Sequence, residues 1–184
     1  MAVIGGGPAG SFFSYFLLEM AERVGIDLHL DLYEARDFSL PGPAGCNMCG
    51  GVISESLVQT LATEGINLPP SVVERGLDSY VLHTDVGTVR IATPTQEMRI
   101  AAVHRGAGPK GVKEMKWRSF DGFLLDLATK KGAHLVRGRV EAVALQEGHP
   151  QVRVRGGANL RSMTCWRLRS ASIPRRSNYL TVSG

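Results

Sequence analysis

The chain has 184 residues, 43% of them hydrophobic, enough for one ordinary domain with an apolar core. Its formal net charge is +4, but residues 151–184 hold seven arginines and no acid, whereas residues 1–150 hold 14 basic and 17 acidic side chains. We therefore expect no nucleic-acid partner, since the body of the chain has no excess of basic residues.

Cysteine content and apolar runs bear on the cellular compartment. Three cysteines are too few for a disulfide framework, and no secretory signal begins the sequence. The longest apolar-rich run, Ser11–Ala21, has about half the length of a membrane span. The sequence predicts a cytoplasmic protein without a transmembrane segment, and leaves peripheral contact with a membrane open.

The first 35 residues predict a strand, a glycine turn, a helix and a second strand. Residues Met1–Ile4 are apolar, "GGGPAGS" follows, and an apolar face at helical spacing continues to Gly25. Residues 27–35, "DLHLDLYEA", alternate leucines with polar residues, as a strand does. The fold class predicted is α/β, with a Rossmann-like β–α–β unit.

Further elements continue this domain. Helices are predicted at Ser54–Glu64 and at 119–132, the second with Ser119 as N-cap and Gly132 as its C-terminal glycine. Strands are predicted at Tyr80–His83, Val86–Ile91, Met98–Val103, Ala133–Val136, Val140–Leu145 and Val152–Arg155. The sequence "TDVG" predicts a hairpin turn between the first two strands, and hence an antiparallel β insert.

The sequence changes character near residue 157. Residues 158–184 have no period of 2 or 3.6 and are rich in Arg and Ser. We expect residues 1–157 to form the domain, and residues 158–184 to be a disordered or aberrant basic tail that contributes nothing to the fold.

The glycine turn carries the first functional signal. Gly5, Gly7 and Gly10 fit G-x-G-x-x-G, in which the glycines permit a tight turn, close approach of a pyrophosphate and close helix–strand packing. The helix N-terminus then offers unpaired N–H groups to phosphate. Glu34 ends the second strand, where a carboxylate can accept the ribose hydroxyls of adenosine. Together these residues predict an adenine dinucleotide site.

Four motifs give the chain a family resemblance. "VIGGGPAGS", "YEA", "CGG" and "WRSFDGFLLDLA" resemble the geranylgeranyl reductase family, within the para-hydroxybenzoate hydroxylase-like flavoproteins, over about residues 3–145. The resemblance implies an FAD-binding domain and an FAD-dependent oxidoreductase, in which the flavin passes hydride to an unsaturated isoprenoid or an aromatic substrate. It also implies NADH or NADPH as electron donor and a small, lipid-like substrate.

The resemblance assigns roles to individual positions but identifies no catalytic residue. Glu34 would bind the adenosine ribose, Arg118, the arginine of the family's R-x-x-F-D motif, would contact the cofactor, and the Val140 backbone would meet the adenine. The FAD pyrophosphate would be held by Gly5, Gly6, Gly7, Pro8, Ala9, Gly10 and Ser11, and the flavin end would be lined by Cys49, Gly50 and Gly51.

The cysteine loop leaves several interpretations open. Cys46 and Cys49 have C-x-x-C spacing, which suits a zinc site or a dithiol as well as a flavin-proximal or an inert loop. Zinc needs four ligands, and no second pair follows, so we predict no metal site. His29, His83, His134 and His149 show no metal-ligand spacing.

Two further features limit the functional prediction. His104 and Arg105 end a predicted strand, where they could face the flavin or a substrate, or be a solvated strand end. The family's later motifs, a glycine-ended strand after residue 157 and a "G-D" segment, are not found, and the resemblance also implies residues before the first strand. The alternative function is therefore a truncated, non-catalytic dinucleotide-binding fragment.

Overall fold

The computed structural model describes residues 1–45, 50–92, 100–106, 118–146, 149–155 and 161–162. The helices are α1 (Pro8–Arg23), α2 (Glu55–Thr63) and α3 (Phe120–Lys131), and a short 3₁₀ turn spans Gly42–Ala44. The strands are β1 (Ala2–Ile4), β2 (Asp31–Glu34), β3 (Val52–Ile53), β4 (Val73–Leu77), β5 (Ser79–Thr84), β6 (Gly87–Ala92), β7 (Ile100–Val103), β8 (His134–Arg137), β9 (Val140–Gln146), β10 (His149–Val154) and β11 (Arg161–Ser162).

A three-stranded parallel sheet forms the centre of the fold. Its order is β1-β2-β8, with Ala2 opposite Asp31 on one side of β2 and His134 opposite Asp31 on the other. Helix α1 connects β1 to β2, as a parallel pair requires. The predicted α/β fold with a Rossmann-like β–α–β unit is confirmed.

The two faces of β2 bury different layers, because successive side chains of a strand point to opposite faces. Leu32 is fully buried in a cluster with Leu18 of α1 and Leu125 of α3. Tyr33 is buried on the opposite face, against Val152 of the antiparallel sheet β11-β10-β9. The parallel sheet therefore lies between a pair of helices and a second sheet.

The region between β2 and α3 contains the predicted antiparallel insert. Strand β7 lies between β3 and β4, and β5 and β6 form a hairpin in which Thr84 faces Gly87, as "TDVG" predicts. A second core joins this insert to the helices, with Leu61 of α2, Val103 of β7 and Phe120 of α3 all buried in it.

Serine side chains cap α2 and α3, and the cap at Ser119 was predicted. Ser54 Oγ accepts a hydrogen bond from Leu57 N at 3.3 Å, and Ser119 Oγ accepts one from Gly122 N at 3.3 Å. Gly132 ends α3 with φ of 121°, a conformation that favours glycine. The predicted limits of α3 are thus confirmed at both ends.

The structure differs in detail from the sequence predictions at several elements. Strand β2 begins at Asp31 and not at residue 27, because its partner β1 begins only at Ala2, opposite Asp31. The short strands β3 and β4 were not predicted. Within the expected tail, Arg161–Ser162 pair with β10, so these two residues do contribute to the fold. Residues 156–160 and 163–184 lie outside the described residues.

The helices bear on membrane insertion. Among those of the described ranges, none combines the length and the apolarity that a membrane span requires.

Candidate nucleotide-binding site

The turn between β1 and α1 is held by close backbone contacts. Gly5 has φ of 100°, a region open mainly to glycine, and its N donates to Tyr33 O at 2.8 Å. A Cβ on Gly10 would lie 1.8 Å from Gly5 O, and one on Gly6 would lie 2.9 Å from the Cβ of Glu34. Backbone conformation at Gly5, and close packing at Gly6 and Gly10, therefore demand glycine at these three positions.

Gly7 differs from the other loop glycines. A Cβ at this position would meet nothing within 4 Å, and its φ of −67° is open to any residue. Gly7 is also the N-cap of α1, yet no side chain caps the helix and no acidic residue stands in its first turn. The first-turn N–H groups of Ala9 and Gly10 lack intrahelical partners by geometry, and Pro8 has no N–H. An anion can therefore approach this helix end over Gly7.

Glu34 lies directly beside the glycine loop. Its Oε2 accepts from Gly6 N at 2.6 Å and its Oε1 accepts from Arg36 N at 2.7 Å, and the residue is 8% exposed. An ionised carboxylate has about four acceptor positions, so each oxygen retains capacity for one more donor. The carboxylate predicted to bind ribose is thus adjacent to the loop predicted to bind pyrophosphate.

The serines at the start of α1 turn toward the backbone. Ser11 Oγ donates to Gly6 O at 2.8 Å and Ser14 Oγ donates to Gly10 O at 2.7 Å, and both serines are buried. Ser11, predicted to contact pyrophosphate, therefore supports the loop through its side chain, while its N donates to Gly7 O within the helix.

In the cysteine loop, Cys46 and Cys49 lie outside the described residues, whereas Gly50 and Gly51 are described. Gly51 has φ of 66°, its O accepts from Val103 N at 2.7 Å, and a Cβ there would lie 2.2 Å from Val103 O. Glycine at position 51 therefore has a packing reason of its own. A Cβ on Gly50 would meet nothing within 4 Å.

Arg118 forms an ion pair with the helix that follows it, α3. Its guanidinium forms an ion pair with Asp126 and lies 5.9 Å from the ring centroid of Phe123. Only Ser119 separates Arg118 from Phe120, one residue fewer than in the R-x-x-F-D motif. A cofactor contact by Arg118 stays a prediction; the ion pair uses Nη2, and the guanidinium has further N–H donors.

The pair at the end of β7 is structural in this arrangement. Arg105 donates to Asp121 through Nε at 2.6 Å and Nη2 at 2.8 Å, and the Asp121 side chain is 5% exposed. His104 Nε2 lies 3.2 Å from Glu74 Oε2, and its backbone O accepts from Phe120 N. The bonds to Asp121 and Phe120 attach the end of β7 to the start of α3, and the contact with Glu74 links it to β4.

Val140 begins β9 and is half-buried against Tyr33 and Val152. It lies opposite Val154 of β10, next to a register shift in the pairing of these strands. Its predicted backbone contact with adenine stays a prediction.

One cluster was missed by sequence reasoning. His29, Asp31 and His134 offer three ligand atoms within 4.8 Å of one another. The spacing of the two histidines along the chain gave no hint of this. The signal lay in the strand pairing, which places His134 opposite Asp31.

Comparison with known proteins gives a fold and no family. No protein-family model and no curated relative matches the chain. Among solved structures, a triple mutant of the flavin-dependent brominase Bmp2 is 14% identical, with a TM-score of 0.60 over 88% of this chain and 36% of that one. A halogenase PltM structure gives 15% identity and a TM-score of 0.59 over 88% and 32%. The myxobacterial chondrochloren halogenase CndH, described as a variant of FAD-dependent halogenases, gives 17% and 0.56 over 85% and 33%.

The chain has the fold of the corresponding part of these halogenases. It spans about a third of their length. PltM has also been solved with phloroglucinol and FAD, which is the flavin whose site the sequence predicts here.

Proposed function

We propose that this chain is the FAD-binding part of a flavin-dependent oxidoreductase. The observation that carries the proposal is Gly7. Backbone conformation explains glycine at position 5 and packing explains it at positions 6 and 10, whereas Gly7 has an ordinary φ and its side faces open space beside an uncapped helix end. Close approach of a ligand's phosphates to this helix N-terminus explains why position 7 is glycine, since neither packing nor backbone conformation requires glycine there.

Each residue of the site then has a defined task. The N–H groups of Ala9 and Gly10 bind pyrophosphate oxygens, and the dipole of α1 favours their negative charge. Glu34 accepts the ribose hydroxyls with the lone pairs that Gly6 and Arg36 leave free. Both groups are fixed before the ligand arrives, because Glu34 is already bonded to the loop.

The bound flavin would supply hydride transfer, while the protein orients it and excludes competing reactions. Within this class we propose a geranylgeranyl reductase-like enzyme, with NADH or NADPH as donor and an unsaturated, isoprenoid or aromatic small molecule as acceptor. The motif resemblance supports this assignment. The fold similarity to flavin-dependent halogenases supports the broader class.

Gly7→Val tests the site directly. Valine at this position meets open space, so the apo protein should fold, with only a small loss of stability because valine is a poorer N-cap than glycine. Its branched side chain stands where the phosphates approach, and we expect ADP and FAD affinity to fall at least about tenfold, a loss of about 1.4 kcal/mol. Isothermal titration calorimetry measures the affinity.

Gly122→Ala is the matched control, since a Cβ there makes only ordinary contacts, the closest at 3.6 Å to the Cβ of Ser119. It should bind ADP as the original does. FMN, which lacks the adenosine half, should bind far more weakly than FAD. Unchanged ADP affinity in Gly7→Val, or equal affinity for FMN and FAD, would disprove the assignment.

A second candidate is a dinucleotide-binding chain with no activity of its own. The observation that favours it is the coverage of about a third of the structural neighbours. Both candidates predict FAD binding. Oxidation of NADH or NADPH by the FAD-loaded chain separates them, because only the enzyme reduces its flavin at a catalytic rate.

A further inference from the structure

The histidine–aspartate cluster lies at the other end of the parallel sheet. Asp31 Oδ1 lies 2.7 Å from His134 Nδ1 and 3.1 Å from His29 Nε2. Strands β2 and β8 begin at Asp31 and His134, whereas the glycine loop and Glu34 follow the carboxyl ends of β1 and β2. The cluster is therefore separate from the nucleotide site.

The cluster contains one buried side chain, Asp31, and two side chains that solvent can reach, His29 and His134. The Asp31 side chain is 8% exposed, whereas those of His134 and His29 are 53% and 76% exposed. Strand pairing fixes Asp31 between its two neighbours, and the backbone around His29 is held because Met1 N donates to His29 O at 2.5 Å. The two rings can thus be reached from solvent while the carboxylate is already in place.

We infer that His29, Asp31 and His134 form a binding site for a divalent transition-metal ion, with zinc the best match. Two imidazoles and one carboxylate are a ligand set that zinc accepts, and magnesium prefers oxygen ligands alone. Around tetrahedral zinc, with ligand bonds of about 2.0–2.1 Å, neighbouring ligand atoms are about 3.3 Å apart. The two bonds to Asp31 are near this separation.

Binding needs only a small rearrangement. All three ligand atoms already lie within 4.8 Å of one another, and the exposed rings can rotate to close the remaining gap. Each ring then presents a lone pair to the metal, and its N–H proton sits on the other ring nitrogen, which for exposed rings can bond water. Water completes the coordination, as in zinc sites with three protein ligands.

The bound ion would join β2 to β8 and so stabilise the parallel sheet. A ligand that binds only the folded state raises its stability by mass action. With zinc about a hundredfold above its dissociation constant, we expect a melting temperature about 5–10 °C higher. Magnesium at the same concentration should leave it unchanged.

Untagged protein titrated with zinc chloride tests the site. Calorimetry should give one ion per chain. His29→Ala removes an exposed ring without opening the core, and should weaken zinc binding by more than about tenfold while leaving ADP affinity unchanged. His83→Ala is the matched control, because it removes an exposed imidazole of the β5–β6 hairpin.

Cys46→Ser provides the second control, since the C-x-x-C loop is the competing source of ligands. The inference is supported if zinc binding and the rise in melting temperature are lost in His29→Ala and kept in His83→Ala and Cys46→Ser. It is overturned if zinc neither binds nor stabilises, or if His29→Ala binds zinc as the original does.

Discussion

Glu34 combines a structural and a binding role in one carboxylate. Its two oxygens satisfy the N–H groups of Gly6 and Arg36, so its removal leaves two backbone donors without their partner. A fall in ligand affinity on Glu34→Ala would therefore not distinguish lost ribose contacts from a disturbed loop. The two roles can be separated by comparing the affinities of two ligands that differ in their ribose hydroxyls.

Glu34→Gln, measured with two ligands, makes that separation. The amide turns an NH₂ toward one of the two backbone donors, so we expect the free energy of unfolding to fall by about 1–3 kcal/mol. The original protein should prefer ADP to its 2′,3′-dideoxy analogue by about ten- to a hundredfold, the value of one hydrogen-bonded charge.

In Glu34→Gln this preference should largely disappear. The ratio of the two affinities is measured within each protein. Damage to the loop weakens the binding of both ligands alike, so it leaves this ratio unchanged. An equal preference in both proteins would show that Glu34 only supports the loop.

At the residue scale, local motifs were readable from the sequence and tertiary pairings were not. The spacing of Gly5, Gly7 and Gly10 is enough to predict the shape of the turn, and Glu34 lies at the end of the next strand. Arg118 could not be placed, because its ion pair with Asp126 depends on the turn of α3. The pairing of His134 with Asp31 is set by a strand register that joins distant parts of the chain.

At the element scale, a cluster of charges fastens α3 to α1. Lys131 Nζ lies 2.5 Å from Glu22 Oε2 and also forms an ion pair with Glu19. The hydrogen bond from Lys131 holds the pKa of Glu19 below its ordinary value, and Arg23 contributes in the same direction. The same carboxylates raise the pKa of Lys131.

Lys131→Met tests this link through its pH dependence. A carboxyl whose pKa is lowered by folding stabilises the protein above its ordinary pKa, 4.5 for Glu19, and the contribution is lost as the pH falls through the lowered value. We therefore expect a small drop in melting temperature at pH 7 that vanishes near pH 3.

Lys130→Met is the control for removing one positive charge from the same helix end. It should change the melting temperature less than Lys131→Met at pH 7. A difference between the two variants that persists at pH 3 would mean that the lysine stem, and not its charge, makes the contribution.

Elements with a complete local signal were predicted, and those that depend on a partner were not. Helix α3 has an apolar face, a serine cap and a terminal glycine within 14 residues of sequence. Strand β3 has two residues and β4 reads "VERGL", so neither has a pattern of its own. Both form by pairing with β7, which has β3 on one edge and β4 on the other.

At the scale of the whole molecule, the C-terminal limit of the domain is testable. Strand β11 places Arg161 and Ser162 opposite Val152 and Gln151, and Val152 is 3% exposed. A chain ending at residue 155 should therefore unfold about 1–3 kcal/mol more easily than one ending at residue 162, since it loses these backbone bonds.

A chain ending at residue 162 should melt as the full chain does, if residues 163–184 contribute nothing, as their composition predicts. Thermal unfolding of the three lengths side by side gives the answer. Equal melting temperatures for the chains ending at 155 and 184 would contradict a stabilising role of β11.

The register of β2 with β8 has a consequence for synthesis. Asp31 and His134 are 103 residues apart, and Leu30 and Leu32, both fully buried, are covered by Leu125 and other residues near α3. At about 5–20 residues per second, a ribosome needs about 5–20 s to make the connecting chain. During that interval the apolar face of the nascent β–α–β unit lacks the residues that cover it in the folded protein, so we expect the yield of folded protein to depend on translation speed as well as on equilibrium stability.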